Sequence, residues 1–329
     1  MKLPFFAQFP KVRCQPNVAG SLSHRHGTIS SPYSVRNAQP AFSLVEILVT
    51  IALLSVIVLG LMAMFNQTQR AFRSSMTQTD VLENGRAAMD LLMRELEQVT
   101  PANLQTTINF YAWYIPRKPD PPAPLLQELI SPNSPPDPPQ MRTNVLQEFF
   151  FLTRNNRDWS AVGYTIGVPH PDPNTGMLVL GPPNFGVGTL YRFVTNVHES
   201  ERELTAHFYQ VFQNAPLTNL HRVADGVVHL RVRAFDTKGM LIDTNSVVRN
   251  AIIQRDILPS EVQYWFYSNA VPAYVEIELG MLETHLLGRF LAMTNNPDTA
   301  RKFLEKQSGG AHLFRQRVPI RNVDPTVYQ

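Results

Sequence analysis

Glu46 is the residue whose type and position ask for a chemical explanation. It follows Phe42 by four positions and heads a nineteen-residue uncharged run, Ile47–Phe65. A carboxylate at the mouth of such a run is costly to desolvate, so its presence implies a partner group or a function. Elsewhere the chemistry-bearing residues do not assemble into a pattern. The nine histidines are scattered, with His24, His26 and His170 in the leader or a proline-rich loop, and none forms the paired spacing of a helical zinc site. There is no nucleophile elbow and no phosphate-cradling glycine loop; Gly186-Val187-Gly188 is too short to count. Glu199, Glu201 and Glu203 around Arg202 read as a solvated turn. Asp225 and Asp236 are candidates for a calcium site, against the ordinary reading of acidic turn residues. The chain is therefore expected not to be an enzyme and to need no cofactor.

The single cysteine, Cys14, sits in a basic stretch without the small apolar residues of a lipidation site. Disulfides and cysteine-based metal sites are excluded for the rest of the chain. The first 41 residues hold five Lys/Arg and no acidic residue. Without them the chain's 29 Lys and Arg fall to 24, against an unchanged 26 Asp and Glu. The basic pI of about 9.0 thus belongs to the leader, and no nucleic-acid partner is expected.

The elements that must carry Glu46 follow from periodicity. Ile47–Phe65 would span roughly 28 Å as a helix, close to the thickness of a bilayer's hydrocarbon core. Its polar stripe is only Thr50 and Ser55, and the basic flank predicts that the N-terminus stays in the cytoplasm. Beyond it, Leu82, Gly85, Met89, Leu92, Leu96 and Val99 recur at spacings of three and four, opposite Glu83, Arg86, Asp90, Arg94 and Glu97. Arg86–Asp90 and Asp90–Arg94 are spaced to pair one turn apart. Pro101 ends the pattern. One helix from about Ser43 to Val99 is predicted, loosened locally at Gly60 and Gly85. Residues 42–65 cross the membrane and 66–100 form an amphipathic extension.

Residues 116–140 contain ten prolines and read as an exposed insertion of polyproline character, poor at sheet hydrogen bonding. Strands are predicted at Glu148–Thr153, Ala161–Ile166, Thr189–Val194, Val227–Phe235, Glu261–Tyr267 and Ala273–Leu279. Those from Val228 to Ala234 and from Val275 to Leu279 alternate, so each should have one buried and one wet face. Tyr264–Tyr267 reads as core, Pro297–Gln307 as a short helix, and the residues after Ser308 as a tail. The fold class is α+β: a long N-terminal helix packed on antiparallel sheet, with residues 101–329 as the β domain.

Ala41-Phe42-Ser43-Leu44-Val45-Glu46-Ile47-Leu48-Val49 resembles the signal cut by prepilin peptidases in type IV pilins and pseudopilins. Ala41 stands where that family usually has glycine, and the leader of residues 1–41 is long for it. The resemblance implies a pseudopilin-like fold, cleavage between Ala41 and Phe42, N-methylation of Phe42, and a role for Glu46 in pairing with a neighbouring subunit's N-terminal amine. Val223–Asp236, Leu258–Val262 and Pro272–Leu279 are similar to stretches in J-type minor pseudopilins and W-type minor pilins. The implied function is a minor pseudopilin of a type II secretion filament. Its partners would be the prepilin peptidase, other pilin or pseudopilin subunits and the inner membrane, with a single span and the C-terminal domain in the periplasm. Two alternatives stand beside it: a minor type IV pilin for pilus priming or DNA uptake, and a single-pass anchored periplasmic binding protein that never polymerises. The plainer reading of Glu46 is that it merely snorkels to the membrane interface.

Overall fold

The structure is a computed structural model that describes residues 43–114, 126–128, 141–255 and 261–329. Ala41, Phe42, the leader and most of the proline-rich insertion lie outside the described residues. The chain divides into two compact units, one up to Met62 and one from Ala63 to Gln329.

A single helix, α1 (Leu44–Leu96, 53 residues), begins in the first unit. From Leu44 to Phe72 every side chain is exposed, and the segment is long and apolar enough to cross a membrane. Apolar residues surround the helix axis here, and a helix of that character is stable only where lipid or other apolar helices cover it. Neither Gly60 nor Gly85 interrupts the helix.

In the second unit the buried positions of α1 are Val81, Gly85, Ala88, Met89, Leu92, Met93 and Leu96, one stripe at helical spacing. Leu82, expected on that face, is only half-buried, and Val81 takes its place. Arg86, Asp90 and Arg94 are exposed and make no ion pair with one another among the described residues. Gly85 is a contact point rather than a loosening point: a Cβ there would lie 2.1 Å from Cε2 of Phe314.

The β domain is built from β1 (Ile108–Tyr114), β2 (Leu126–Glu128), β3 (Met141–Thr143), β4 (Gln147–Asn155), β5 (Asp158–Pro171), β6 (Leu178–Gly181), β7 (Gly188–His198), β8 (Leu220–Phe235), β9 (Ala251–Arg255), β10 (Val262–Tyr267), β11 (Tyr274–Leu282) and β12 (Ala311–Pro319). All six predicted strands are present, most of them longer than expected. The main sheet runs β12-β11-β8-β7-β5-β4-β1-β10-β9, with β6 on the end of β5, and every strand pair is antiparallel. β2 and β3 form a separate hairpin. The proline-rich stretch therefore does contribute a strand, at the proline-free triplet Leu126-Gln127-Glu128. The segment after Ser308, expected as a tail, is the edge strand β12.

Helix and sheet form layers because the strands carry apolar residues on both faces. Phe149 and Phe151 of β4 join the core beneath α1, whereas Phe150 and Leu152 pack against Phe208 and Phe212. Those two belong to a second cover, the 3-10 turn Glu199–His207 and α2 (Phe208–Gln213). The continuous run Phe149-Phe150-Phe151-Leu152 is what a strand covered on both sides requires. At the β8–β11 end, α3 (Thr284–Leu291) and α4 (Pro297–Lys306) close a smaller core with Leu286, Phe290, Ala300 and Leu304. Asn296 caps α4 by accepting from the Thr299 N–H at 3.3 Å.

Candidate functional site

Ser43 and Glu46 build the N-terminal site. Ser43 is the cap: its carbonyl accepts the first helical bond from the Ile47 N–H at 3.3 Å. The Ser43 hydroxyl accepts from the Glu46 N–H at 3.3 Å, and the Ser43 N–H donates to Oε2 of Glu46 at 3.1 Å. The Ser43 hydroxyl also donates to the same oxygen at 3.3 Å. This reciprocal arrangement satisfies two donors that a helix start leaves open, and the carboxylate sits at the positive end of the helix dipole. Glu46 is exposed and meets solvent or a partner from there. The spacing Ser43-x-x-Glu46 announces this box in the sequence, yet Ser43 was absent from the predicted site.

Residues 36–62 match the family model described as the prokaryotic N-terminal methylation motif. That motif indicates a type IV pilin-like prepilin peptidase substrate. The matched segment contains Ala41, Phe42 and Glu46. No curated protein matches, and no solved structure matches. The motif implies pilin-type assembly in general, and the apolar helix fits a single-pass membrane anchor.

In the second unit the amphipathic half of α1 is bound to the sheet by a charge as well as by packing. Arg192 of β7 donates from Nη2 and Nε to Oε1 of Glu95 at 2.6 and 2.9 Å. The hydroxyl of Tyr164 in β5 donates to the other carboxylate oxygen. Burial, followed by the Glu95 charge, pushes the Tyr164 phenol far above its ordinary value. At the far end of the helix, Arg321 reaches Glu97 at 2.7 Å, and Asn322 donates to the Val99 carbonyl at 3.3 Å.

The expected wet face of β8 and β11 is instead a buried layer of paired charge. His229, Glu276 and Glu278 are nearly inaccessible. Nδ1 of His229 accepts from the Val145 N–H at 2.9 Å, so Nε2 carries the proton and donates to Glu278 at 3.3 Å. That hydrogen bond first, then the charges of Arg231 and Arg233, hold the Glu278 carboxyl at about 2, against burial, which pushes it up.

Asp225 and Asp236, the calcium candidates, have other partners. Asp225 takes Arg222 and the Thr189 hydroxyl, and Asp236 accepts from the N–H groups of Lys238 and Met240 in a turn. Among the described residues no three His, Cys, Asp or Glu side chains are placed to hold a metal.

Proposed function

We propose that this chain is a J-type minor pseudopilin-like subunit of a type II secretion filament, a structural component rather than an enzyme. Its precursor is held in the inner membrane, cut between Ala41 and Phe42, methylated on the Phe42 amine, and drawn into a filament with the β domain in the periplasm. The observation that carries the reading is the uncovered helix Leu44–Phe72, headed by Glu46 inside a methylation motif. Such a helix needs neighbours' helices once it leaves the lipid, and a carboxylate at its head can set their axial register. A large domain with an inserted hairpin suits a rare subunit, because bulky domains crowd a repeating lattice.

Intact-mass measurement of protein extracted from membranes with an active prepilin peptidase tests the first step. The expected mass lacks residues 1–41 and gains one methyl group; a chain retaining Met1 would sink the reading. Glu46→Ala tests the second. Cleavage and insertion should persist, while co-purification of other pilin-like subunits should fall.

The capping box favours a second reading, an anchored periplasmic protein that never polymerises. There the Glu46 carboxylate is satisfied by Ser43 within its own chain and needs no neighbour. Equal recovery of partner subunits with wild type and Glu46→Ala would select it. A minor type IV pilin carries the same motif, and a genomic neighbourhood of retraction and adhesion genes, in place of a secretin, would point there.

A further inference from the structure

The last strand of the sheet offers a surface that the pilin-like N-terminus does not explain. Among the described residues β12 pairs with β11 alone, over the nine positions from Ala311 to Pro319. At about 3.4 Å per residue, its other edge presents unpaired backbone groups along roughly 30 Å. On the face turned away from α1, three strands set out charge in rows. β8 supplies Arg231 and Arg233; β11 places Glu278 and Glu276 directly opposite them. β12 then places Arg315 and Arg317 opposite the same two glutamates. The sign alternates strand by strand and stops on an arginine row at the open edge.

The inner glutamates are 6 % exposed in their side chains, the outer arginines 54 % and 40 %. Arg315 lies 2.8 Å from Glu276 through Nη2 and 3.4 Å from Glu278 through Nε. Arg317 lies 3.4 Å from Glu276, with its guanidinium carbon 3.6 Å from the centre of the Phe235 ring. Each guanidinium has five donors in a rigid fork. Both are therefore held in place from the inside while keeping donors for another carboxylate on the outside.

We propose that β12 accepts one further strand from a different protein chain, an extended segment bearing a carboxylate at every second residue. Main-chain hydrogen bonds to the edge would supply affinity, and the arginine row would choose the acidic strand and its register. A second copy does not fit through the same edge. Two-fold antiparallel pairing of β12 with itself brings arginine rows together, and like charges set across a strand pair destabilise it. Head-to-tail continuation of the sheet fails as well, since β9, the strand at its other end, carries Arg255 and no carboxylate.

The test uses the full chain in detergent micelles and a labelled nine-residue peptide alternating Glu with Val and Thr, followed by fluorescence anisotropy. Twins of the peptide carry Lys for each Glu, or N-methyl groups on alternate backbone nitrogens in either phase. The acidic peptide should bind at least tenfold tighter than the Lys twin. One N-methyl phase should lose at least tenfold, because a strand turns alternate N–H groups to each edge. Arg315→Glu with Arg317→Glu should invert the preference between acidic and basic peptides. The peptide comparisons need only the wild-type chain, so they stand even if that double variant misfolds. Absent or equal binding of acidic and basic peptides would mean that the arginines guard the edge against pairing, and would overturn the proposal. Indifference to N-methylation in both phases would overturn it too, leaving plain surface attraction.

Discussion

From Leu44 to Phe72 no side chain of α1 is covered, whereas between Val81 and Leu96 seven positions are buried. Both segments are helical and both are rich in leucine and methionine. They differ in how the apolar residues are distributed about the axis. The first has them all round, so no single protein face could bury them. The second confines them to one stripe, with Glu83, Arg86, Asp90 and Arg94 opposite, and a sheet face of phenylalanines meets that stripe. The same element is thus an anchor in one half and a core component in the other.

Aspartate substitutions should separate the halves most sharply. Met89→Asp with Leu92→Asp should unfold the β domain, since each lost core side chain costs roughly 2–5 kcal/mol against a total of about 5–15 kcal/mol. Near-UV circular dichroism in micelles would read the loss. Leu53→Asp with Ile57→Asp should leave that signal intact yet shift the protein out of the membrane fraction, each charge opposing insertion by about 2.5–3.5 kcal/mol. If the first pair is harmless to the domain, the covered stripe is not its core.

Glu95→Gln should come next. It leaves the Arg192 guanidinium facing a neutral partner in a largely buried site, and should lower domain stability by roughly 2–4 kcal/mol in a denaturant titration. No comparable change in domain stability is expected for Glu46→Gln, whose exposed carboxylate is hydrogen-bonded to Ser43.

The two helix glycines should respond differently. Gly85→Ala drives a methyl group into Phe314 and should destabilise by about 1–3 kcal/mol. Gly60→Ala meets nothing within 4 Å and should leave the domain's melting temperature unchanged. Equal behaviour would mean that Phe314 moves away freely.

The smallest effect is on pH dependence. The Glu278 carboxyl titrates near 2 in the folded chain, below its ordinary 4.5. Its contribution is fully present above pH 4.5 and is lost as pH falls through 2, because the unfolded chain binds the proton more readily. Glu278→Gln should flatten the decline of domain stability across that window.

Much of the helix was legible because its two periodicities are local facts, and the methylation motif is a string of adjacent residues. The six strands with aromatic and β-branched runs were legible for the same reason. β1, β9 and β12 were not, since Ile108–Tyr114 borders prolines, Ala251–Arg255 is short, and Ala311–Pro319 is too polar to look buried on either side. The pairing of Arg315 and Arg317 with Glu276 spans about 40 positions and leaves no periodic trace. Likewise Gly85 reads as a helix weakener until Phe314 is placed against it.

The sequence by itself determined the charge reversal at residue 41, the apolar anchor headed by Ser43 and Glu46, and the stripe through Gly85, Met89, Leu92 and Leu96, all properties of neighbours within a turn or two. Tertiary structure alone decided which strand lies beside which, that Glu276 and Glu278 are buried rather than wet, and that the sheet ends on an arginine row. Those outcomes depend on contacts between residues far apart in the chain, where the free energy of pairing is set by geometry that no local pattern encodes.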